Sequence, residues 1–253
     1  MVDIHSHVLW GLDDGPETLD ESLAMLRIAA AYGTTDIVAT PHSNSRYNFD
    51  PAAVTSRIEE LSCYPGLPRV HRGCDFHLSA LNIEDALRNP AKYTINSGRY
   101  LMVELPEMFS PDSIGRALRS LSSEGMVPVI THPERNQALQ RSPATIERWI
   151  DSGSLSQVTA QSLTGRFGTR ARQYGWQLLR SGHVHFIASD AHDAADRIPR
   201  LDIVRDVLRK EIGESLARLL LLDHPQAAID NQDDPIDIVL APQPRKWYQI
   251  WRQ

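Results

Sequence analysis

The sequence predicts a single α/β domain of barrel-like architecture, and three observations carry that prediction. Short apolar runs that read as buried strands alternate seven times with helical stretches, the pattern of parallel strands joined by right-handed crossovers. No linker long enough to split the chain interrupts this alternation, and no repeat of fixed period runs through it. The 253 residues suffice for one α/β barrel, two small domains being the other arrangement of that length.

The elements follow from local signals. The first strand is Val2–His5. Thr18-Leu19-Asp20-Glu21 has the capping-box pattern and opens a helix over Leu19 to Ala31, with Leu23, Leu26 and Ala30 on one face and Gly33 ending it. The second strand is Thr35–Thr40, running into Pro41-His42, and a helix from Ala52 to Leu61 follows Pro51. Arg69–Phe76 is the third strand, with Asp75 at its end, and Leu81–Arg88 a short helix. Tyr100–Leu105 is the fourth strand and carries Glu104; the helix Asp112–Glu124 turns Ile114, Leu118 and Leu121 inward. Met126–Thr131 is the fifth strand, followed by His132-Pro133-Glu134-Arg135-Asn136, and a helix starts at Ser142-Pro143 and runs to Asp151. Leu155–Ala160 is the sixth strand, Arg170–Arg180 a helix, and Val184–Ser189 the seventh strand, ending in Asp190-Ala191-His192. Ile198–Glu211 and Glu214–Leu222 are helical. Residues 1–232 thus form the domain; residues 233–253 are a polar, Pro-interrupted tail, expected to be a surface strap or a contact for another copy in a homo-oligomer.

Composition excludes several classes of function. A net charge of −6 leaves no basic footprint for nucleic acid or an anionic membrane. No apolar run approaches the eighteen residues or so of a bilayer span, and no signal peptide is visible ahead of the first strand. Two cysteines, Cys63 and Cys74, make no disulfide framework, which fits a reducing cytoplasm. A metal site must therefore use His and carboxylate donors.

Such donors recur where strands end. Asp3, His5 and His7 are spaced by two, so on an extended strand they line one face. Asp14 lies in the turn that follows, His42 after strand two, Asp75 and Glu104 at the ends of strands three and four. His132 follows strand five, and Asp190 and His192 follow strand seven. In a parallel barrel these ends share one face, where active sites are built. Strand-to-helix turns favour Asp as a helix cap and tolerate a lone His, but that accounts poorly for five His at four turns. One catalytic ion takes three or four protein ligands, so this set suits two or three ions. All donors are N or O, which suits Mn²⁺, Fe²⁺ or Zn²⁺. Clustered ions that stabilise attacking and leaving oxygens favour phosphoryl hydrolysis. Arg135 and Arg197, each shortly after a strand-end donor, can reach the same face and grip phosphate through the guanidinium fork; a plain surface ion pair is the alternative for either.

DIHSHVLWGLDDGP, ATPH, THPERN and ASDAH together resemble the PHP superfamily, and more closely its bacterial manganese-dependent protein-tyrosine phosphatases of capsule and exopolysaccharide operons. QVTAQSLTG (157–165) and HPQAAIDN (224–231) also resemble the corresponding family segments, so the similarity spans residues 1 to 231. The resemblance implies a distorted seven-stranded (β/α)7 TIM-like barrel of the PHP type and a trinuclear metal centre. It implies ligand roles for His5, His7, Asp14, His42, Glu104, His132, Asp190 and His192; the carboxylate after strand three is usually Glu in that family and here is Asp75. It implies as substrate the phosphotyrosine-rich tail of a polysaccharide-regulating bacterial tyrosine kinase.

Cys63-x5-Arg69 fits the pattern of cysteine-dependent tyrosine phosphatases, but Pro65 and Pro68 have no N–H to offer a phosphate, so Cys63 is expected to be an ordinary loop residue. The expected reaction is in-line attack of an activated water on phosphorus without a covalent enzyme intermediate. Arg135 and Arg197 hold the non-bridging oxygens, and His42 and His192 are the candidates for protonating the leaving group. Competing readings are a histidinol-phosphate or nucleotide phosphatase, an amidohydrolase, which would usually want eight strands and often a bridging Lys, and a non-enzymatic metal-binding module.

Overall fold

The computed structural model describes residues 1–232. The expected tail, 233–253, lies outside the described residues. Among the described residues there are nine strands in two all-parallel sheets. One sheet joins β1 (Val2–Ser6), β2 (Asp36–Ala39) and β4 (Arg69–Arg72) in the order β1-β2-β4. The other joins β3 (His42–Ser43), β5 (Asp75–His77), β6 (Tyr100–Glu104), β7 (Val127–Thr131), β8 (Leu155–Thr159) and β9 (Phe186–Ala188) in that order.

The sequence pattern predicts seven strands; nine appear because the second resumes past its predicted end as β3 and the third is broken in two. Strand two breaks at Thr40-Pro41. Pro41 has no N–H for the ladder, and its carbonyl accepts from Asp75 N–H at 3.1 Å. Strand three breaks at Gly73-Cys74. A Cβ on Gly73 would lie 2.7 Å from Val38 Cγ1 and 3.0 Å from Thr40 Cγ2, so only glycine permits this approach of backbone to strand two. Beyond the two breaks the chain joins the second sheet, with His42 opposite Asp75. At the far edge the sheets approach again. Ser6 and Ala191 form an isolated parallel bridge, Asp190 N–H donates to His5 O at 2.9 Å, and His7 N–H donates to Ala191 O at 2.7 Å.

The helices are α1 (Leu19–Ala31), α2 (Pro51–Ser62), α3 (Ala80–Arg88), α4 (Pro111–Ser123), α5 (Gln137–Arg141), α6 (Ala144–Asp151), α7 (Ala160–Thr164), α8 (Gly168–Arg180), α9 (Asp202–Ile212), α10 (Glu214–Arg218) and α11 (His224–Ile229). The capping box of α1 is present, with Glu21 N–H on Thr18 Oγ1 at 3.3 Å and Thr18 N–H on Glu21 Oε2 at 3.1 Å. Ile114, Leu118 and Leu121 are buried along α4, as their spacing requires. Five helices depart from the sequence pattern. α5, α7 and α11 are too short to display a helical period. α9 begins at Asp202 rather than Ile198, because the Arg197 carbonyl accepts from His192 and Asp193 N–H and closes a turn there. The helix expected to continue to Leu222 widens into a π turn at Leu219–Asp223 before α11.

Successive residues of β6 divide between two apolar clusters: Tyr100 and Met102 belong to one, Leu101 and Val103 to the other. A parallel strand covered on both faces reads as a continuous apolar run for this reason. No helix among the described residues is long and apolar enough to cross a membrane.

Candidate metal centre

The two strand breaks and the Ser6–Ala191 bridge bring the strand-end donors together. The rings of His7 and His192 have centroids 3.9 Å apart, those of His7 and His42 4.5 Å, His5 and His7 5.5 Å, and His5 and His132 5.6 Å. The expected pairing of His5 with His7 holds even though the β1–β2 register shifts between Asp3 and Ser6. Asp190 Oδ1 is 3.6 Å from Nε2 of both His5 and His7. His42 Nδ1 is 3.2 Å from Asp75 Oδ2 and 3.7 Å from Glu104 Oε2. Asp14 Oδ1 is 3.4 Å from His42 Nε2 and 3.5 Å from His192 Nε2.

Three donor groups have metal-compatible spacing: His7, Asp14, His42 and His192; His5, His7 and Asp75; His42, Asp75 and Glu104. They share members. His7 links the first two groups, His42 the first and third, and Asp75 the second and third. His132 and Asp190 fall outside these groups, though both border them. Asp75, one methylene shorter than the Glu expected after strand three, reaches two of the three groups.

The donor chemistry fits divalent cations. His5 Nε2, His7 Nε2, His42 Nδ1 and Asp75 Oδ2 are buried and make no hydrogen bond. Leaving such atoms unpaired is costly, unless something that accepts their lone pairs is meant to lie between them. The other imidazole nitrogens are tied. His7 Nδ1 is 2.6 Å from Asp13 Oδ2 and His5 Nδ1 is 2.9 Å from Gln157 Oε1, so each ring turns Nε2 inward. Asp13 and Gln157 were not singled out by the sequence; Asp13 adjoins Asp14, and Gln157 opens the QVTAQSLTG segment. His77 was also missed; its Nδ1 is 3.3 Å from Glu104 Oε2.

Backbone strain collects here. His132 (φ 34°) and Asp190 (φ 51°) adopt left-handed conformations, which cost a non-glycine residue about a kcal/mol or more. Each is the residue at which its strand turns away, so the strain aims the side chain at the cluster.

The electrostatics show a centre short of positive charge. Burial opposes protonation of His42, but hydrogen bonding to Asp14 and the nearby Asp75 and Glu104 carboxylates raise it to about 11. Burial likewise opposes charge on His5, and Asp75 and Asp190 raise it to about 9. His7 goes the other way: burial and the His192 ring beside it outweigh Asp13 and push it to about 4. Burial and the Arg135 guanidinium hold His132 well below its ordinary value. His7 and His132 are therefore neutral donors, while the protons on His5 and His42 stand where cations would satisfy the carboxylates. Hydrogen bonds from His192 and His42 hold Asp14 well below the carboxylate range.

Both candidate clamp arginines arrive at the cluster. Arg135 Nη2 and Arg197 Nη2 each lie 2.7 Å from Asp190 Oδ2. Burial would raise the Asp190 pKa, but Arg135, His5 and Arg197 hold it well below the usual range. Asp190 thus turns one oxygen to the arginines and the other to the histidines. Cys63 is exposed at the C-terminal end of α2, its Sγ 3.7 Å from Glu59 O. Cys74 is buried, and burial pushes its thiol well up, the reverse of an activated nucleophile.

Comparison with known proteins identifies the family. The family model for capsular polysaccharide synthesis, CpsB/CapC, matches residues 1–230. The putative tyrosine-protein phosphatase CapC of Staphylococcus aureus is 36% identical over 202 residues, covering 78% of this chain and 79% of its own. The tyrosine-protein phosphatase YwqE of Bacillus subtilis is 31% identical over 237 residues, covering 92% of each chain. Among solved structures, one described with YwqE from Bacillus subtilis and CpsB from Streptococcus pneumoniae as unique metal-dependent tyrosine phosphatases superposes with a TM-score of 0.87. It has 29% identity and covers 96% of this chain and 100% of that one. The chain belongs to the CpsB/CapC family of capsular polysaccharide synthesis.

Proposed function

We propose that the protein is a metal-dependent, cysteine-independent phosphatase that hydrolyses phosphotyrosine in proteins. The observation that carries this reading is three metal-compatible donor groups sharing His7, His42 and Asp75 beside two converging guanidiniums. His5, His7, Asp14, His42, Asp75, Glu104, His132, Asp190 and His192 would hold two or three ions. The all-N/O donor set suits Mn²⁺, Fe²⁺ or Zn²⁺, and the resemblance to the manganese-dependent phosphatases favours Mn²⁺ among them. When bound, such ions supply Lewis-acid activation of water and neutralisation of phosphoryl charge.

The chain's own residues do the rest. Arg135 and Arg197 each give an N–H to Asp190 and keep others for the non-bridging phosphoryl oxygens. Their fixed positions hold phosphorus in line for attack. His42 and His192, whose Nε2 atoms lie 3.4 and 3.5 Å from Asp14 Oδ1, remain the candidates for giving a proton to the leaving phenolate, a role open to either ring only through a nitrogen not engaged by an ion. The substrate we infer is the tyrosine-rich tail of a bacterial tyrosine kinase controlling capsule or exopolysaccharide synthesis, met in the cytoplasm. The two sheets read as one distorted seven-stranded barrel of the PHP type, an interpretation supported by the Ser6–Ala191 bridge, with residues 1–232 as the catalytic domain.

The test is a substrate panel of phosphotyrosine peptide, histidinol phosphate and a nucleotide, run before and after chelation. Chelation should abolish peptide hydrolysis and Mn²⁺ should restore it best. Full activity in verified metal-free protein, or a clear preference for histidinol phosphate, would sink the reading.

A further inference from the structure

Phe167 lies in the turn between α7 and α8, partly buried, and belongs to neither apolar cluster. What its ring meets is charge. Arg135 Cζ lies 4.7 Å from the ring centroid and Arg197 Cζ 6.0 Å. The same two guanidiniums converge on the single oxygen Asp190 Oδ2, each at 2.7 Å. Two cations brought to one oxygen repel each other, and one carboxylate charge offsets only part of that. The face of an aromatic ring carries the negative end of its quadrupole, so a ring beside both guanidiniums attracts both.

The turn that presents the ring is itself fixed. Gly165 and Gly168 have φ of 101° and 90°, values closed to ordinary side chains, and Gly168 N–H donates to Gly165 O at 3.0 Å. Gln161 Nε2 donates to Asp196 O at 3.0 Å, and Arg166 Nη2 is 3.4 Å from Asp196 Oδ1. Asp196 directly precedes Arg197, so the Phe167 turn is tied to the loop that carries one guanidinium. The other guanidinium, from Arg135, comes from the turn after β7 and meets the ring from a separate part of the fold.

We propose that Phe167 is the positioning residue of the phosphate clamp. Its ring holds the Arg135 and Arg197 guanidiniums at a set spacing, so that the N–H groups not used by Asp190 converge on one phosphoryl group. This rests on the reading of the two arginines as phosphate ligands.

The experiment compares Phe167→Leu, which keeps apolar bulk and removes the π face, with Phe167→Tyr, which keeps the face. Kinetics on a phosphotyrosine peptide, inhibition by inorganic phosphate and metal content are measured for each. Phe167→Leu should lose about five- to thirtyfold in kcat/KM, the scale of a partly desolvated cation–π contact. Its inhibition by inorganic phosphate should weaken in parallel, with metal content unchanged. Phe167→Tyr should stay close to wild type. In an Arg135→Ala background, Phe167→Leu should cost less than about threefold, because the nearer guanidinium is gone. Phe167→Met provides a second π-free variant, read by the same outcomes, should the Leu variant fold poorly. Wild-type kinetics and phosphate inhibition in the π-free variants, or equal losses with and without Arg135, overturn the proposal and leave the phosphatase function standing. A metal-loaded wild-type protein that does not cleave the peptide overturns that function and the clamp together.

Discussion

Replacing Asp13 should weaken metal binding even though Asp13 is not a proposed ligand. Its Oδ2 lies 2.6 Å from His7 Nδ1 and accepts His42 N–H at 3.0 Å, while Oδ1 accepts Gly15 N–H at 3.0 Å. Both side chains of the His7–Asp13 pair are almost fully buried. Asp13→Ala therefore strands three donors, the fully buried His7 Nδ1–H and the partly buried His42 and Gly15 N–H groups. At about 1–3 kcal/mol for a buried unsatisfied group and about 1 kcal/mol for each partly buried one, the metal-free fold should lose about 3–5 kcal/mol. Separately, the His7 ring is no longer held with Nε2 inward. Loss of such an outer partner typically costs about 10–100-fold in metal affinity. Asp13→Asn keeps one acceptor for His7 and His42 but turns its amide toward Gly15 N–H and loses the charge, so it should fall between. Calorimetric metal titration measures the affinity, and melting in chelator isolates the cost to the fold. Wild-type values in both measurements for Asp13→Ala would refute the orienting role.

Three further outcomes are expected. Arg135→Ala and Arg197→Ala should keep metal content near wild type and lose about 2–4 kcal/mol of transition-state stabilisation in kcat/KM, with Lys rescuing poorly; wild-type kinetics in both would remove the clamp. Cys63→Ser should keep its activity, since the exposed thiol caps the end of α2 and belongs to none of the donor groups; a trapped phosphocysteine would overturn this. His185 is buried, its Nδ1 accepts Ser156 N–H at 3.1 Å, and burial together with His224 and His183 pushes it down to about 3. The unfolded chain takes up this proton near its ordinary value of 6.5, so stability is lost as pH falls below that value. The loss should be about 2 kcal/mol at pH 5. Urea melts at pH 7 and pH 5 should show His185→Asn, which keeps an acceptor, with a smaller difference; an unchanged difference would exclude His185 as the source.

Much of this was legible in the chain because the signals are local. Thr18 and Glu21 announce α1, and the apolar run Tyr100–Val103 announces a strand buried on both faces. The spacing of His5 and His7 announces a shared direction. The strand breaks were not legible, because they depend on what lies opposite: Gly73 matters through Val38 and Thr40 on the neighbouring strand. The same holds for the partners of the site. Nothing near Gln157 in sequence says that it meets His5, 152 residues away. Nor could spacing reveal that Arg135 and Arg197 share one oxygen of Asp190, since that depends on two turns with left-handed backbone at His132 and Asp190.

The closure between β1 and the residues after β9 has a consequence for the growing polypeptide. Asp3 Oδ1 accepts Ser189 N–H at 3.0 Å across a separation of 186 residues. On a ribosome adding about 5–20 residues per second, the first strand waits about 10–40 s for that partner. Throughout that interval one edge of β1 is an unpaired strand edge, open to other chains, and His5 and His7 stand without Asp190 and His192. Metal capture by the complete donor set could come only after synthesis has passed residue 192. An ion held by that set would be among the last components to join, and would tie the earliest strand to the latest.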